Sequence, residues 1–568
     1  MRLWGPEGAA VVAAAIDAGY THFDAARAYG PGPGPAGAVG TGASEAALAA
    51  GLAQRAGKRD GLTVVTKVGM LREGTRWVPD GRARTIRAQT SESVALLGPV
   101  DLLLDHAPDG RTERVVTVRA LAQEVARGSA RAIGLSNPTL PELVAAREHA
   151  PIAAVEIALG AFADDAARGG LLAYAGKHGI VVLAHSPFGG PKRARRLKKH
   201  ALLVELAARR GVSPHALFLR YLVAVGEAHG AALVPLVGAS TRASMEDAAR
   251  ARALVLDPSE LAQLDAAFAG LRRSREPIGP AREETDVVLV MGIPGAGKST
   301  WVEPLVAAGY ERLNRDQRGG TLRDVARGLE ERLAAGATKL VLDNTYLTRA
   351  ARADVLDAAR RHRARVRCVH VATPVAVAQA RVCERMLERF GELLDADGIA
   401  RARDPAAVLP LVPARAQRTL EPPDPSEGFD AIETLVPAPR ATGRAASGVA
   451  VALDALDALD VAELRADAWL LYGWAPELTA ADASARAARL GERVGTSVEV
   501  RICRHAAGPP RCHCRPPFPG LIVAFARERG VDPTKLTIVG GASARAIASG
   551  VGATFVAATA TDGPSKVR

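Results

Sequence analysis

The chain has 568 residues, 48% hydrophobic and 24% charged, with a formal net charge of +12. It is too long for a single core and reads as about three domains of ordinary size. No charge-free apolar stretch reaches the roughly 18 to 20 residues that cross a bilayer, and five cysteines exclude a disulfide scaffold. There is no cleavable signal pattern at the start, so the expected compartment is the cytoplasm, with no membrane partner. The positive charge permits a polyanionic partner, but arginine is abundant throughout, so charge alone points to none.

From residue 1 to about 274, short apolar runs alternate with helical Ala/Leu/Arg patterns. Strands are predicted at Tyr20–Phe23, Leu62–Lys67, Val100–His106, Ala130–Ser136, Ile152–Ala158, Ile180–His185 and Ala232–Gly238. Strands spaced by helices in this way predict an α/β fold, a (β/α)8 TIM barrel whose first strand is reduced to Met1–Trp4. Barrel chemistry collects at the C-terminal ends of strands. There fall Asp24, Tyr29 shortly after it, Lys67 and His106. A phenol is a poor acid at neutral pH, and a buried ammonium beside it brings it toward the working range.

The segments Phe23-Asp-Ala-Ala-Arg-Ala-Tyr-Gly30, Thr66-Lys-Val-Gly69, Leu104-Asp-His-Ala-Pro108, Ala132-Ile-Gly-Leu-Ser-Asn137, His185-Ser-Pro-Phe-Gly-Gly190 and Pro235-Leu-Val-Gly-Ala-Ser240 occur in the order found in the aldo/keto reductases. This part of the chain resembles that family over nearly its whole length. The resemblance implies reduction of a small carbonyl substrate with NADP(H) or NAD(H). Tyr29 would be the proton donor, Lys67 would lower its pKa, Asp24 would hold Lys67, and His106 would orient the carbonyl oxygen. It also implies cofactor contacts at Ser136, Asn137, His185, Ser186 and Gly238. Four positions depart from the family pattern. His185 stands where an aromatic often stacks on the nicotinamide, and Glu156 replaces a Gln. The Arg and Asn that grip the adenosine end are replaced by Ser244 and Ala248, leaving Arg242 as the candidate phosphate contact.

A polar, Pro-containing linker, Arg273–Arg282, precedes a second domain expected at 284–440. An apolar run, Val287–Met291, leads into Gly292-x-x-x-x-Gly297-Lys298-Ser299, the full phosphate-loop pattern. Gly292, Gly295 and Gly297 let backbone N–H groups turn inward around phosphate oxygens. Lys298 supplies charge to the β/γ-phosphates, the Ser299 hydroxyl is placed for Mg²⁺, and a helix beginning at Ser299, with Thr300 as a further nucleotide contact, aims its positive end at the nucleotide. ATP is the expected ligand. Asn314-Arg-Asp316, a strand Lys339–Asp343 and an Arg-rich helix Val375–Phe390 follow, the order of a small three-layer P-loop kinase. Asn314-Arg-Asp316 with Leu342-Asp-Asn-Thr345 resembles the kinase module of polynucleotide 5′-hydroxyl kinases. That resemblance implies Asp316 as general base, Asp343 near metal and phosphates, and Arg381 or Arg385 over the triphosphate. Gly319 stands near the family's acceptor-phosphate Arg, with Arg318 and Arg323 as replacements; Leu409–Arg440 is expected as loops.

The last domain, 445–568, is predicted as a small α/β fold with strands Ser447–Leu453, Trp469–Tyr472, Ser497–Ile502 and Lys535–Val539. Cys503-Arg-His505 and Cys512-His-Cys514 put three thiolates and an imidazole within reach of a tetrahedral Zn²⁺, with His513 as a side group. This block and Cys514-Arg-Pro-Pro-Phe-Pro-Gly520 resemble zinc-bearing phosphatases of the haloacid dehalogenase superfamily, which implies a structural zinc loop on a Rossmann-like fold. The catalytic residues are not retained: Asp454-x-x-Asp457 replaces Asp-x-Asp, Pro516 takes the Lys position, and Gly541 and Arg545 take the acidic ones. The expected whole is a reductase, a kinase and a degenerate phosphatase-like domain. Nucleic-acid 5′ ends or a small hydroxylated metabolite would be the acceptor; the alternative is a nucleotide-binding regulatory scaffold.

Overall fold

The computed structural model describes residues 5–30, 42–54, 59–238, 241–271, 282–458, 463–506 and 512–558. The chain divides into two compact units, Met1–Glu276 and Pro277–Arg568.

The strands of the first unit are β1 (His22–Asp24), β2 (Thr63–Val68), β3 (Met70–Glu73), β4 (Arg76–Pro79), β5 (Val100–Asp105), β6 (Ala130–Ser136), β7 (Ala154–Ala158), β8 (Val181–His185) and β9 (Leu233–Pro235). Seven of them form one sheet in the order β1-β2-β5-β6-β7-β8-β9, every pair parallel. All seven predicted barrel strands are therefore present, and the eighth, expected at Met1–Trp4, lies outside the described residues. The unpredicted β3 and β4 form a separate antiparallel hairpin.

Successive strand residues point to opposite faces of a sheet, and the two cores of this unit follow that alternation. Phe23, Val64, Val68, Leu103, Leu135, Val155 and Val182 join the large core shared with the helices. Val65, Leu102, Leu104, Ala154 and Leu183 form a second cluster on the other face. Continuing that inner row two residues toward the strands' C-terminal ends reaches Lys67, His106, Glu156 and His185. Alternation with Phe23 puts Asp24 in the same row.

In the second unit β10 (Arg282–Met291), β11 (Glu311–Leu313), β12 (Lys339–Asp343), β13 (Ala364–Val371) and β14 (Ala431–Leu435) make a parallel sheet in the order β11-β12-β10-β13-β14. A second parallel sheet, β15 (Ala446–Ala452), β16 (Ala468–Trp474), β17 (Val498–Cys503), β18 (Val531–Gly540) and β19 (Thr554–Ala557), runs β17-β16-β15-β18-β19, a Rossmann-like order. The helix Val375–Phe390 forms as predicted and ends at Gly391, whose φ of 77° supplies the left-handed cap.

The expectation that Leu409–Arg440 is all loop is corrected. It contains a helix, Val412–Thr419, and the edge strand β14. β14 is at most half-buried along its length, so it shows no apolar alternation. It is held by backbone pairing to β13. Upstream, the wholly buried Arg352 ties Glu427 to the sheet domain through a bidentate ion pair (2.8 and 2.7 Å) and donates to the carbonyl of Glu421 (2.9 Å). Among the described residues no helix is long and apolar enough to cross a membrane.

Candidate functional site

At the mouth of the barrel Lys67 is 1% exposed, with Nζ bonded to both Asp24 carboxylate oxygens (2.5 Å each) and to Glu156 Oε2 (2.9 Å). Its ammonium lies 5.6 Å from the centre of the Tyr29 ring. The Tyr29 and His106 rings stand edge to face at 5.2 Å. The four residues singled out from the sequence therefore meet at one place. Burial alone would lower the Lys67 pKa, but the charges of Asp24 and Glu156 more than offset that and hold it above its ordinary value. Burial, then the Asp24 charge, pushes the Glu156 carboxyl up to about 7.

Two parts of this site escape a motif-based reading. Glu156 is the second carboxylate on Lys67, a partnership visible only once β2 and β7 are placed. Trp77, on β4, lies 6.0 Å from the Tyr29 ring and 5.6 Å from that of His106, with the Arg72 guanidinium 4.3 Å from its own ring. The sequence signal was Gly74, which takes the left-handed φ of 59° in the turn joining β3 to β4.

The predicted cofactor positions are partly assembled. His185 Nε2 lies 3.0 Å from Asn137 Oδ1 and its Nδ1 3.2 Å from Ser186 Oγ. Burial, then the nearby Lys67 charge, lowers the His185 pKa, so the imidazole is neutral near pH 7. Asn137 and Ser186 both take left-handed backbone (φ 44° and 54°), strain of a kind that concentrates at functional sites. Ser136 Oγ is buried with no hydrogen-bond partner among the described residues, which fits a site built for a polar ligand. The adenosine end is less complete. Gly238 is exposed beside residues outside the described set. Arg242 is an exposed group paired with Glu246 at 2.7 Å, and Ser244 closes a capping box with Thr241.

At the phosphate loop, Gly292, Gly295 and Gly297 have φ of 150°, 83° and 95°. A Cβ on Gly295 would fall 2.4 Å from the Ala378 carbonyl oxygen, and one on Gly292 2.6 Å from that of Val371. The loop is thus a cradle that only glycine can form. Lys298 donates to the carbonyls of Gly292 (3.0 Å) and Ile293 (3.1 Å), and burial pushes its pKa down to about 8. The helix Lys298–Ala307 starts one residue earlier than expected, with Thr300 exposed on its first turn.

Ser299 Oγ donates to Asp343 Oδ2 at 3.0 Å, which brings together the two groups expected at the metal. Arg312, which the sequence reading passed over, bonds Asp343 and also donates to Ser299 Oγ (3.1 Å). Two asparagines fix the surrounding loops. Asn314 accepts from the N–H of Asp316 (2.8 Å) and donates to the carbonyl of Asp343 (2.5 Å), while Asn344 accepts from the N–H of Arg315 (2.8 Å). Asp316 is half-exposed beside Arg315. Arg381 donates to Ala296 O (2.7 Å) and Arg385 to Pro405 O (3.1 Å). Burial lowers the Arg385 pKa, opposed by the charge of Asp316. Arg318 lies 3.6 Å from Glu311 and Arg323 3.7 Å from Asp354.

In the last domain, donor atoms of Cys503, His505, Cys512 and Cys514 all lie within 4.8 Å of one another. Cys503 Sγ is 3.8 Å from Cys512 Sγ and 3.4 Å from Cys514 Sγ. His505 Nδ1 is 3.4 Å from Cys503 Sγ and 3.3 Å from Cys514 Sγ. Tetrahedral zinc with Zn–S of about 2.3 Å and Zn–N of about 2.0 Å requires separations of about 3.8 and 3.5 Å, so the donors fit that ion. His513 turns away from them: its Nε2 meets the Val408 carbonyl (2.8 Å) and its Nδ1 the Cys383 thiol (3.5 Å).

Fold and site together define an oxidoreductase-type, TIM-barrel-like domain followed by a P-loop domain. Residues 5–269 match the profile of the aldo/keto reductase family, and residues 287–404 match that of an AAA domain. A 6-dehydroglucose reductase of Novosphingobium aromaticivorans is 30% identical over 255 residues, spanning 43% of this chain and 80% of that protein. The chain belongs to the aldo/keto reductase family and carries an AAA-type P-loop domain as well. Aldo-keto reductase str7 of Strobilurus tenacellus is 32% identical over 183 residues, 32% of this chain; the chain spans only about half, 49%, of that relative. An aldo-keto reductase from Klebsiella pneumoniae, solved in complex with NADPH, is 22% identical with a TM-score of 0.39, covering 46% of this chain and 84% of that one.

Proposed function

We propose that the protein reduces small carbonyl compounds with NADP(H) or NAD(H) at the barrel mouth. We further propose that it transfers the γ-phosphate of ATP to a hydroxyl, a polynucleotide 5′-OH, at the phosphate loop. The observation that carries the first activity is Lys67, buried between two carboxylates beside Tyr29 and His106. Ser136, Asn137, His185 and Ser186 would hold a nicotinamide cofactor, which supplies the hydride when bound. Tyr29 gives its hydroxyl proton to the carbonyl oxygen and regains one from solvent, while His106 orients that oxygen and the Lys67 charge favours release of the phenolic proton. Glu156, by offsetting part of that charge, tunes the pair. The name of the Novosphingobium relative puts oxidised sugars among the first carbonyls to try.

At the phosphate loop, Lys298 and Arg385 neutralise phosphate charge and Asp316 accepts the proton of the attacking hydroxyl. Ser299 and Asp343 would hold Mg²⁺, which supplies further charge neutralisation. The four Cys and His donors would hold a Zn²⁺ that is structural, since protein atoms fill every position of a tetrahedron. The strand order of the last sheet supports the reading of a haloacid dehalogenase-type domain without catalytic residues. One observation favours the scaffold alternative: Arg312 already sits on the Ser299 and Asp343 side chains.

The experiment is transfer of labelled γ-phosphate from ATP to a 5′-OH oligonucleotide, comparing wild type with Lys298→Ala and Asp316→Asn. Loss of transfer in both variants is the expected result. ATP hydrolysis that requires Lys298, without transfer, overturns the polynucleotide assignment and favours a small hydroxyl acceptor or the scaffold.

A further inference from the structure

The helix Val375–Phe390 serves two domains of the second unit. Toward the phosphate loop it presents the Ala378 carbonyl, against which Gly295 closes so tightly that no Cβ fits, and Arg381, which donates to Ala296 O at 2.7 Å. Its other side is core of the last domain: Ala380, Cys383 and Leu387 pack in one cluster with Ile522, Phe525, Ile547 and Val551. Close approach recurs there, since a Cβ on Gly550 would lie 2.7 Å from Ala376 O. Packing this dense transmits displacement rather than absorbing it.

The loop with the Cys and His donors touches the same helix at one polar point. His513 is 2% exposed and bridges the Cys383 thiol of the helix to the carbonyl of Val408. Val408 belongs to a strap that the helix holds through Gln379 to Pro410 O (3.1 Å), Arg385 to Pro405 O (3.1 Å) and Arg389 to Asp404 (3.0 Å). Cys512 and Cys514 flank His513, so an ion bound by both would fix the backbone from which His513 projects. Gly520 packs against the carbonyl of His513, where a Cβ would come within 2.5 Å.

We propose that the Cys503–His505–Cys512–Cys514 centre is a metal-dependent clamp that acts through His513, a positioning residue, to set the Arg381- and Arg385-bearing helix against the phosphate loop, so that zinc loading raises nucleotide affinity. The last domain, stripped of phosphatase residues, thereby keeps a function as the brace of the nucleotide site. This rests on the reading of the phosphate loop as an ATP site and of the donor cluster as a zinc site.

The test uses the full chain and three readouts: bound zinc by chelator-dye assay, affinity for a non-hydrolysable ATP analogue, and the thermal unfolding midpoint. His513→Ala is expected to keep one zinc per chain yet bind the analogue at least about fivefold more weakly, the lower end of typical inter-site coupling. Cys512→Ser is expected to lose zinc and weaken binding to the same degree, and the double variant to weaken it no further. His513→Asn, which retains a donor toward Val408, recovers part of the affinity. Unchanged affinity in zinc-loaded His513→Ala overturns the clamp. So does affinity that falls only in step with the unfolding midpoint and is not recovered by His513→Asn. Lack of analogue binding in wild type, or wild-type binding unaffected by Lys298→Ala, removes the ATP-site reading itself.

Discussion

Replacing Glu156 by Gln tests the electrostatics of the barrel site without needing a substrate. The raised Glu156 pKa, from 4.5 to about 7, arises from burial and from Asp24, with Lys67 acting in the other direction. That rise corresponds to about 3 kcal/mol at most. Below pH 4.5 the carboxyl is protonated in folded and unfolded chains alike, and contributes nothing. Between pH 4.5 and 7 the unfolded chain ionises while the folded one stays protonated, so stability falls as pH rises, with the whole cost present above about pH 7. Lys67, raised above its ordinary value, contributes stability that is flat across this window and is lost only at higher pH. Glu156→Gln should therefore match wild type at pH 4 and exceed it by about 1–3 kcal/mol at pH 8. The assay is equilibrium urea unfolding at both pH values, read by short deuterium pulses on peptides from β2 and β7. A variant less stable than wild type at pH 8 would show that the ionised Glu156–Lys67 pair is net favourable and refute the reasoning.

Three further outcomes are expected at the phosphate loop. Lys298 is held near pKa 8 by burial, and a phosphate ligand favours its charged form, so nucleotide binding should take up a proton and weaken about tenfold per pH unit above pH 8. Lys298→Arg, measured by calorimetry in two buffers, should remove that slope. Arg312→Met frees Ser299 and Asp343 from a competing cation and should lower the Mg²⁺ concentration for half-maximal nucleotide binding by about fivefold, a modest change for a half-solvated charge; a higher Mg²⁺ requirement would mean that Arg312 helps to hold the nucleotide. Gly295→Ala, with a left-handed φ of 83° and the Ala378 carbonyl in the way, should cost about 1–2 kcal/mol or more and abolish analogue binding.

Much of this molecule was legible before any coordinates. Strand alternation puts Lys67 in one row with Val65, and His106 with Leu102 and Leu104, so the place of these two at the strand ends followed from period-two patterning. The roles of the quartet, and the inclusion of Tyr29 from the loop after β1, came instead from the resemblance to the aldo/keto reductases. The phosphate loop and the four Cys and His ligand candidates were readable because their spacing is itself the geometry. What stayed hidden depends on partners distant in sequence. Glu156 was visible only as an unusual residue, since its pairing with Lys67 needs β2 and β7 in place. Arg312 resembles any surface arginine until β11 sets it beside Asp343. β14 is too exposed to show a pattern, and His513 could not be assigned a direction until the helix that receives it was placed.

The most direct test of the central claim is oxidation of NADPH by the full chain with a panel of small aldehydes and oxidised sugars, wild type against Tyr29→Phe, with NADPH binding measured separately by fluorescence. The account predicts turnover by wild type, a loss of at least about a hundredfold in Tyr29→Phe as expected for a proton donor, and unchanged NADPH affinity. Equal turnover in both proteins would contradict the assignment of Tyr29. NADPH binding without turnover on any carbonyl would make the barrel a cofactor-binding scaffold rather than a reductase.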